Sequence, residues 1–180
     1  KEAQFSICDA IDFNRVYLLA EEQSVVGLVA AGLEHVSGLE APKEIVLQFV
    51  GQALQLEQRC KAMNIFIGNI VEKMRQSDIN ALLVKGQGLA QCYERPLWRS
   101  AGDIDFLLSE ENYKKAIDSL LPNSSESKNG GRYSKEFALT IAPWIIELHG
   151  SMRTGLSSRI DKVIDEVQQD IFYGGNVRSW

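Results

Sequence analysis

The chain has few of the residues that staple a fold from outside. Its three cysteines, Cys8, Cys60 and Cys92, are odd in number and far apart. That spacing gives neither a metal-finger pattern nor a disulfide framework, and it reads as buried or half-buried thiols in a reducing, cytoplasmic setting. No apolar run reaches the roughly 20 residues that a membrane span needs, and the first residues carry no signal-peptide pattern. Positive charge is also short, with 19 Lys and Arg against 24 Asp and Glu for a net −5. A surface of that sign disfavours tight non-specific binding of nucleic acid. No internal repeat is visible. The first residue is Lys1 and the tail after Tyr173 has no closing signal, so the sequence reads as a piece trimmed at the start and incomplete at the C-terminus.

What is present suits a globular chain of 180 residues, 45% hydrophobic and 24% charged, with room for one buried domain and an appendage. Residues 1–40 read as short helices, with Phe13, Val16, Tyr17 and Ala20, then Val25, Leu28, Val29 and Leu33, at helical spacing. His35 falls here beside Glu34 and reads as structural or exposed. From Pro42 to Gln76 one long helix is expected. Phe49, Ala53, Leu56, Cys60, Met63, Ile67, Ile70 and Met74 step alternately by four and three, which draws a single apolar stripe. Expected domains are therefore a helical unit over 1–77 and an α+β domain over 78–180.

The second unit opens with a strand over 79–84 and a short helix over 88–93. After the Asp103–Leu108 strand, Ser109 caps a helix whose inward residues are Tyr113, Ala116, Ile117, Leu120 and Leu121. Residues 122–131, PNSSESKNGG, read as a polar disordered loop. Strands over 132–141 and 144–148 join through Ala142-Pro143, and a helix over 158–171 follows. The order predicts a small mixed sheet with helices on one face.

The chemistry concentrates in LVKGQGLAQCYERPLWRSAGDIDFLL, residues 83–108. Period-two alternation puts Asp103 and Asp105 on one face of an otherwise apolar strand. Two adjacent carboxylates repel unless a cation or a proton lies between them, and oxygen ligands of this kind suit Mg2+ or Mn2+. The opposing reading is a pair of surface carboxylates. Upstream, Lys85-Gly86-Gln87-Gly88 follows an apolar run, a turn where backbone N–H groups can face an anion. Lys85 and Arg99 are cations that could contact phosphate or simply balance the aspartates. Glu147 lies in the apolar run Trp144–Leu148, where a glutamate should be ion-paired or metal-bound. His149 shares its face, as a partner to the metal ligands, a proton carrier or a structural histidine.

Lys85, Gly86, Tyr93, Pro96, Arg99, Asp103 and Asp105, followed by Glu147-Leu148-His149, resemble the nucleotidyltransferase superfamily of DNA polymerase β type, and within it an uncharacterised bacterial branch. The similarity covers about residues 60–150. It implies a nucleotidyltransferase-like fold and a metal site made of Asp103, Asp105 and Glu147. It also implies an NTP whose phosphates meet Lys85, Gly86, Gln87, Gly88 and Arg99, and transfer of a nucleoside monophosphate to a hydroxyl acceptor. The superfamily usually carries Gly-Ser at the turn, whereas this chain has Gly86-Gln87-Gly88 and a longer gap to Asp103. A catalytically inactive member that binds a nucleotide or a protein is the alternative, and a metal-dependent phosphohydrolase is a third class.

Overall fold

A computed structural model describes residues 11–36, 38, 40–129, 135–155 and 157–174. The expectations for Cys8, for the strand start at 132–134 and for the tail after 174 lie outside the described residues. Five strands and six α-helices are present among the described residues, an α+β fold with a mixed sheet. They form two compact units. One holds the described residues up to Ile65 together with Gln87–Ala101, and the other holds Phe66–Gly86 together with the described residues from Gly102 onward.

In the first unit, α1 spans Phe13–Glu22 and α2 spans Val26–Leu33. Asp12 caps α1, its Oδ1 accepting from the Arg15 N–H at 3.1 Å. Helix α3, Lys43–Gln76, is the continuous element that the stripe predicts, and its residues up to Ile65 belong to this unit. Its start is fixed by the Pro42 carbonyl, which accepts from Ile45 and Val46. Pro42 thus caps the helix instead of occupying its first turn. Every stripe residue named above except half-buried Leu56 is buried. The α3 residues Ile45 and Phe49 close over Phe13 and Ala20 of α1. The Tyr17 ring meets Phe49 edge-on, with centroids 5.1 Å apart. The short helix α4, Gly86–Ala90, begins two residues earlier than expected, and a 3-10 turn follows over Pro96–Trp98.

The second unit is a five-stranded sheet in the order β1-β2-β5-β4-β3. The strands are β1 Ala81–Val84, β2 Ile104–Leu108, β3 Glu126–Asn129, β4 Glu136–Ile141 and β5 Trp144–His149. Strands β2 and β5 run parallel, and the other neighbours run antiparallel. A parallel pair needs a crossover, and α5, Glu110–Leu120, lies on that path. Ser109 caps α5, its Oγ accepting from the Asn112 N–H at 3.3 Å. Ala116 and Leu120 are buried, but Leu121, expected inside, is 41% exposed because α5 ends at Leu120 and a 3-10 turn carries Leu121 outward.

Two further expectations need correction. Glu126–Asn129, read as part of a disordered loop, pairs with Phe137–Thr140 as the edge strand β3. Its sequence ESKN has no apolar alternation to reveal it, and backbone pairing alone makes it a strand. Strand β2 starts at Ile104, so Asp103 stands in the bend before it and not in the ladder. Helix α6, Ser158–Tyr173, is present, but Ile160, Val163 and Val167 on its apolar face are about half exposed.

In the first unit, a Cβ built on Gly27 would lie 2.1 Å from the Trp98 carbonyl oxygen, whereas one on Gly32 in the same helix meets nothing within 4 Å. Gly27→Ala should therefore cost about 1–3 kcal/mol through overpacking against backbone. Gly32→Ala should be neutral or stabilise by up to about 1 kcal/mol through helix propensity. Urea denaturation of both variants checks this, and equal effects at the two positions would refute the close approach at Gly27.

Candidate active site

Three strands of the second unit converge on one row of chemistry. Val84 at the end of β1 faces Asp105 of β2, and Asp105 faces Glu147 of β5. Glu147 and His149 lie two residues apart on β5 and share a face. Lys85 directly follows β1, so its side chain starts beside Asp105. It holds φ at +54°, a left-handed conformation that non-glycine residues rarely adopt. Gly86 follows at φ +25°.

Asp105 is the centre of this row. Its side chain is 2% exposed, yet it carries two partners on one oxygen. The Lys85 ammonium donates to Oδ1 at 2.7 Å, and His149 Nε2 lies 2.9 Å from the same atom. His149 Nε2 is also 3.5 Å from Glu147 Oε2. Ligand atoms of Asp105, Glu147 and His149 all lie within 4.8 Å of one another. The tight cluster thus contains two of the three expected acids plus the histidine.

Asp103 lies outside that cluster but acts on it through its charge. Burial raises the Glu147 carboxyl pKa above its ordinary value, and the negative charges of Asp103, Asp105 and Glu136 raise it further, against a smaller opposing effect of His149. At Asp105 burial pushes upward too, but the hydrogen bonds and charges of His149 and Lys85 prevail and hold it below the usual carboxylate range. The hydrogen bond to Asp105 raises the Lys85 ammonium, despite partial burial, with help from the charges of Asp105, Glu147 and Asp103. Burial is thus the main cause of the raised Glu147, and the neighbouring carboxylates add to it.

The remaining expected residues belong to the first unit. The Gln87 side chain is 4% exposed, and its Nε2 donates to Cys60 Sγ at 3.2 Å. It offers the turn no equivalent of a hydroxyl. Gly88 is half-buried inside α4. The Arg99 guanidinium stands 5.8 Å from the Tyr93 ring centroid, and its Nη1 donates to the Ser100 carbonyl at 3.3 Å.

Glu136 is a site neighbour that sequence reasoning missed. It pairs with His149 across the β4–β5 hairpin. Counting back from the Ala142-Pro143 turn would have found it, had the hairpin register been applied. A cavity of 610 Å3 opens beside the row, with Lys85, Glu136, His149, Arg153, Gln168 and Phe172 in its wall. Gln168 anchors α6 there by donating to the Leu108 and Gly150 carbonyls at 3.3 and 3.1 Å.

Asp105 and Glu147 are thus register partners on parallel strands, with Lys85 placed beside Asp105 at the end of β1. The family model described as an uncharacterised nucleotidyltransferase matches residues 9–177. The chain belongs to this nucleotidyltransferase family. No curated protein and no solved structure matches it. The nucleotidyltransferase family model extends beyond the sheet into the helical N-terminal residues, so the α1–α3 helices belong to the matched family as much as the sheet does. Among its described residues, no helix is long and apolar enough to cross a membrane.

The raised Glu147 carboxyl fixes the sign of a stability effect. A carboxyl whose folded pKa lies above its unfolded value destabilises the fold once pH exceeds the folded value, where both states are ionised. Below the ordinary value of 4.5 both states are protonated and the cost vanishes. Glu147→Gln should therefore raise the melting temperature at pH 7–8, and the gain should shrink as pH falls towards 4. Thermal melts across that range check the sign, and a loss of stability at pH 8 would contradict it.

Proposed function

We propose that this chain transfers a nucleoside monophosphate from an NTP to a hydroxyl acceptor, using a divalent cation held by Asp103, Asp105 and Glu147. The observation that carries this reading is the direct opposition of Asp105 and Glu147 across β2 and β5. The donor set fits Mg2+ or Mn2+, since carboxylate oxygens suit both ions. When bound, such a cation supplies charge neutralisation for the phosphates and the departing pyrophosphate.

The protein's own groups divide the rest of the work. Glu147, its basicity increased by burial and by neighbouring carboxylates, accepts the acceptor's hydroxyl proton. The acceptor oxygen then bonds to the α-phosphorus as the bond from that phosphorus to the bridging oxygen breaks, and pyrophosphate leaves with that oxygen. Lys85 is half exposed and flexible, and it offers its ammonium to the triphosphate. The backbone N–H of Gly86, which follows Lys85 in the same unit, is proposed as a further phosphate contact. The 610 Å3 cavity has room for one small substrate.

One observation favours the alternative of a catalytically inactive nucleotide-binding member. Where the superfamily places a serine hydroxyl, Gln87 turns its amide into the interior against Cys60. Product analysis separates the two readings. With Mg2+, labelled NTPs and a cell extract as the source of acceptor, a transferase should release pyrophosphate and label an acceptor. Asp105→Asn should abolish this. Glu147→Gln should lower turnover on the order of a hundredfold or more while nucleotide binding survives. Nucleotide binding without pyrophosphate release by the parent protein would instead support the inactive reading, and free phosphate would point to a phosphohydrolase.

A further inference from the structure

The position of His149 says more about the cation than the acidic residues do. Its side chain is 8% exposed, held on β5 with the backbone paired to β2 on one side and β4 on the other. Strand period two directs it to the face that bears Glu147. Its Nε2 is 2.9 Å from Asp105 Oδ1 and 3.5 Å from Glu147 Oε2. Adjacent ligands around an octahedral cation, with bonds of about 2.1 Å, lie about 3 Å apart. The imidazole nitrogen therefore stands from both carboxylates at close to the spacing of neighbouring ligands. Asp103, the residue an all-oxygen site would use as its third anchor, lies before β2 and outside this cluster.

We propose that His149 Nε2 is itself a ligand of the divalent cation, so that the site adds one imidazole to its carboxylates and favours Mn2+ and related transition ions over Mg2+. The proposal rests on the metal-dependent reading above and names a direct role for a residue that reading leaves behind the metal. The physical basis of the selection is ligand type. Mg2+ is a hard ion that favours oxygen donors and retains water, whereas imidazole nitrogen suits the first-row transition ions. An imidazole beside the oxygen donors shifts the preference without changing the charge-neutralising role of the cation. Glu136 on β4 pairs with His149, and its charge acts on Glu147.

The chain has two histidines, His35 and His149, which makes the test clean. Protein carrying 15N-histidine is loaded with Mn2+ and inorganic tripolyphosphate, a probe that contains no nitrogen, and pulsed electron paramagnetic resonance is used to look for histidine nitrogen coupled to the ion. The coupling should be present in the parent, should persist in His35→Asn and should disappear in His149→Ala. Titration should show His149→Ala losing tenfold or more in Mn2+ affinity, with a smaller loss for Mg2+. A bound Mn2+ with no histidine coupling in the parent would overturn the ligand role and leave the carboxylate site standing. Equal losses for the two ions would overturn the selectivity, since a histidine that merely positions Asp105 affects both alike. Failure of the parent to take up Mn2+ at all would sink this proposal together with the metal-dependent reading beneath it. The parent spectrum decides the ligand role even if His149→Ala does not fold.

Discussion

A carboxylate buried in a sheet is the constraint that the second unit depends on. Burying an ionised group without partners costs several kcal/mol, and Asp105 is almost completely inside. Two partners on its Oδ1 meet that cost, one from each neighbouring strand: Lys85 after β1 and His149 at the end of β5. Both partners require the β1–β2 and β2–β5 registers as they stand. A one-residue slip in either would turn a side chain to the opposite face and take away one of the carboxylate's two partners. The site and the strand alignment are thus conditions of each other. Lys85 also accepts a left-handed backbone, which costs on the order of 1–3 kcal/mol, at the position from which its ammonium reaches Asp105.

The sheet topology explains why the acids come from such distant parts of the sequence. Strands β2 and β5 are parallel, so the chain must cross over between them, and it does so through α5 and the β3–β4 hairpin partners. Those intervening residues supply the far side of the sheet and also Glu136. A carboxylate on β2 and another on β5 can then face each other without either lying on a flexible loop. Strands hold catalytic groups more precisely than loops do, and Asp105 and Glu147 are direct register partners. Asp103 is the exception, since it sits in the bend where β2 begins. Its charge still reaches both Glu147 and Lys85, an influence that needs no contact.

How much was legible in the sequence follows from which signals are local. The α3 stripe was readable because a helix of 34 residues repeats its period many times. The core identity of β2 was readable because Ile104, Phe106 and Leu107 leave it no exposed face, and all five of its residues are buried. Strand β3 was not readable, because Glu126, Ser127 and Lys128 are polar edge residues whose strand character comes from β4. Glu136 escaped notice for a related reason. Its relevance lies in what stands opposite it, and that depends on counting through the hairpin. The left-handed backbone at Lys85 has no signal in a lysine, since glycine is the residue that normally advertises it.

The two partners of Asp105 differ in kind, and the difference bears on how the site can change state. His149 is rigid, buried and fixed by strand pairing on both sides. Lys85 reaches Asp105 from the surface with about half its side chain in solvent. Water reaches the ammonium end of this pair but not the carboxylate, so breaking it with nothing in its place leaves a buried charge short of a partner. Lys85 can therefore leave Asp105 only where another cation or a donor takes its place, whereas withdrawing His149 would require the β5 ladder to move. The geometry keeps Asp105 oriented by the partner that cannot leave and compensated by the one that can. A polymethylene stem with a compact ammonium serves that second role better than arginine, whose planar fork would bind the carboxylate through two hydrogen bonds and release it less readily.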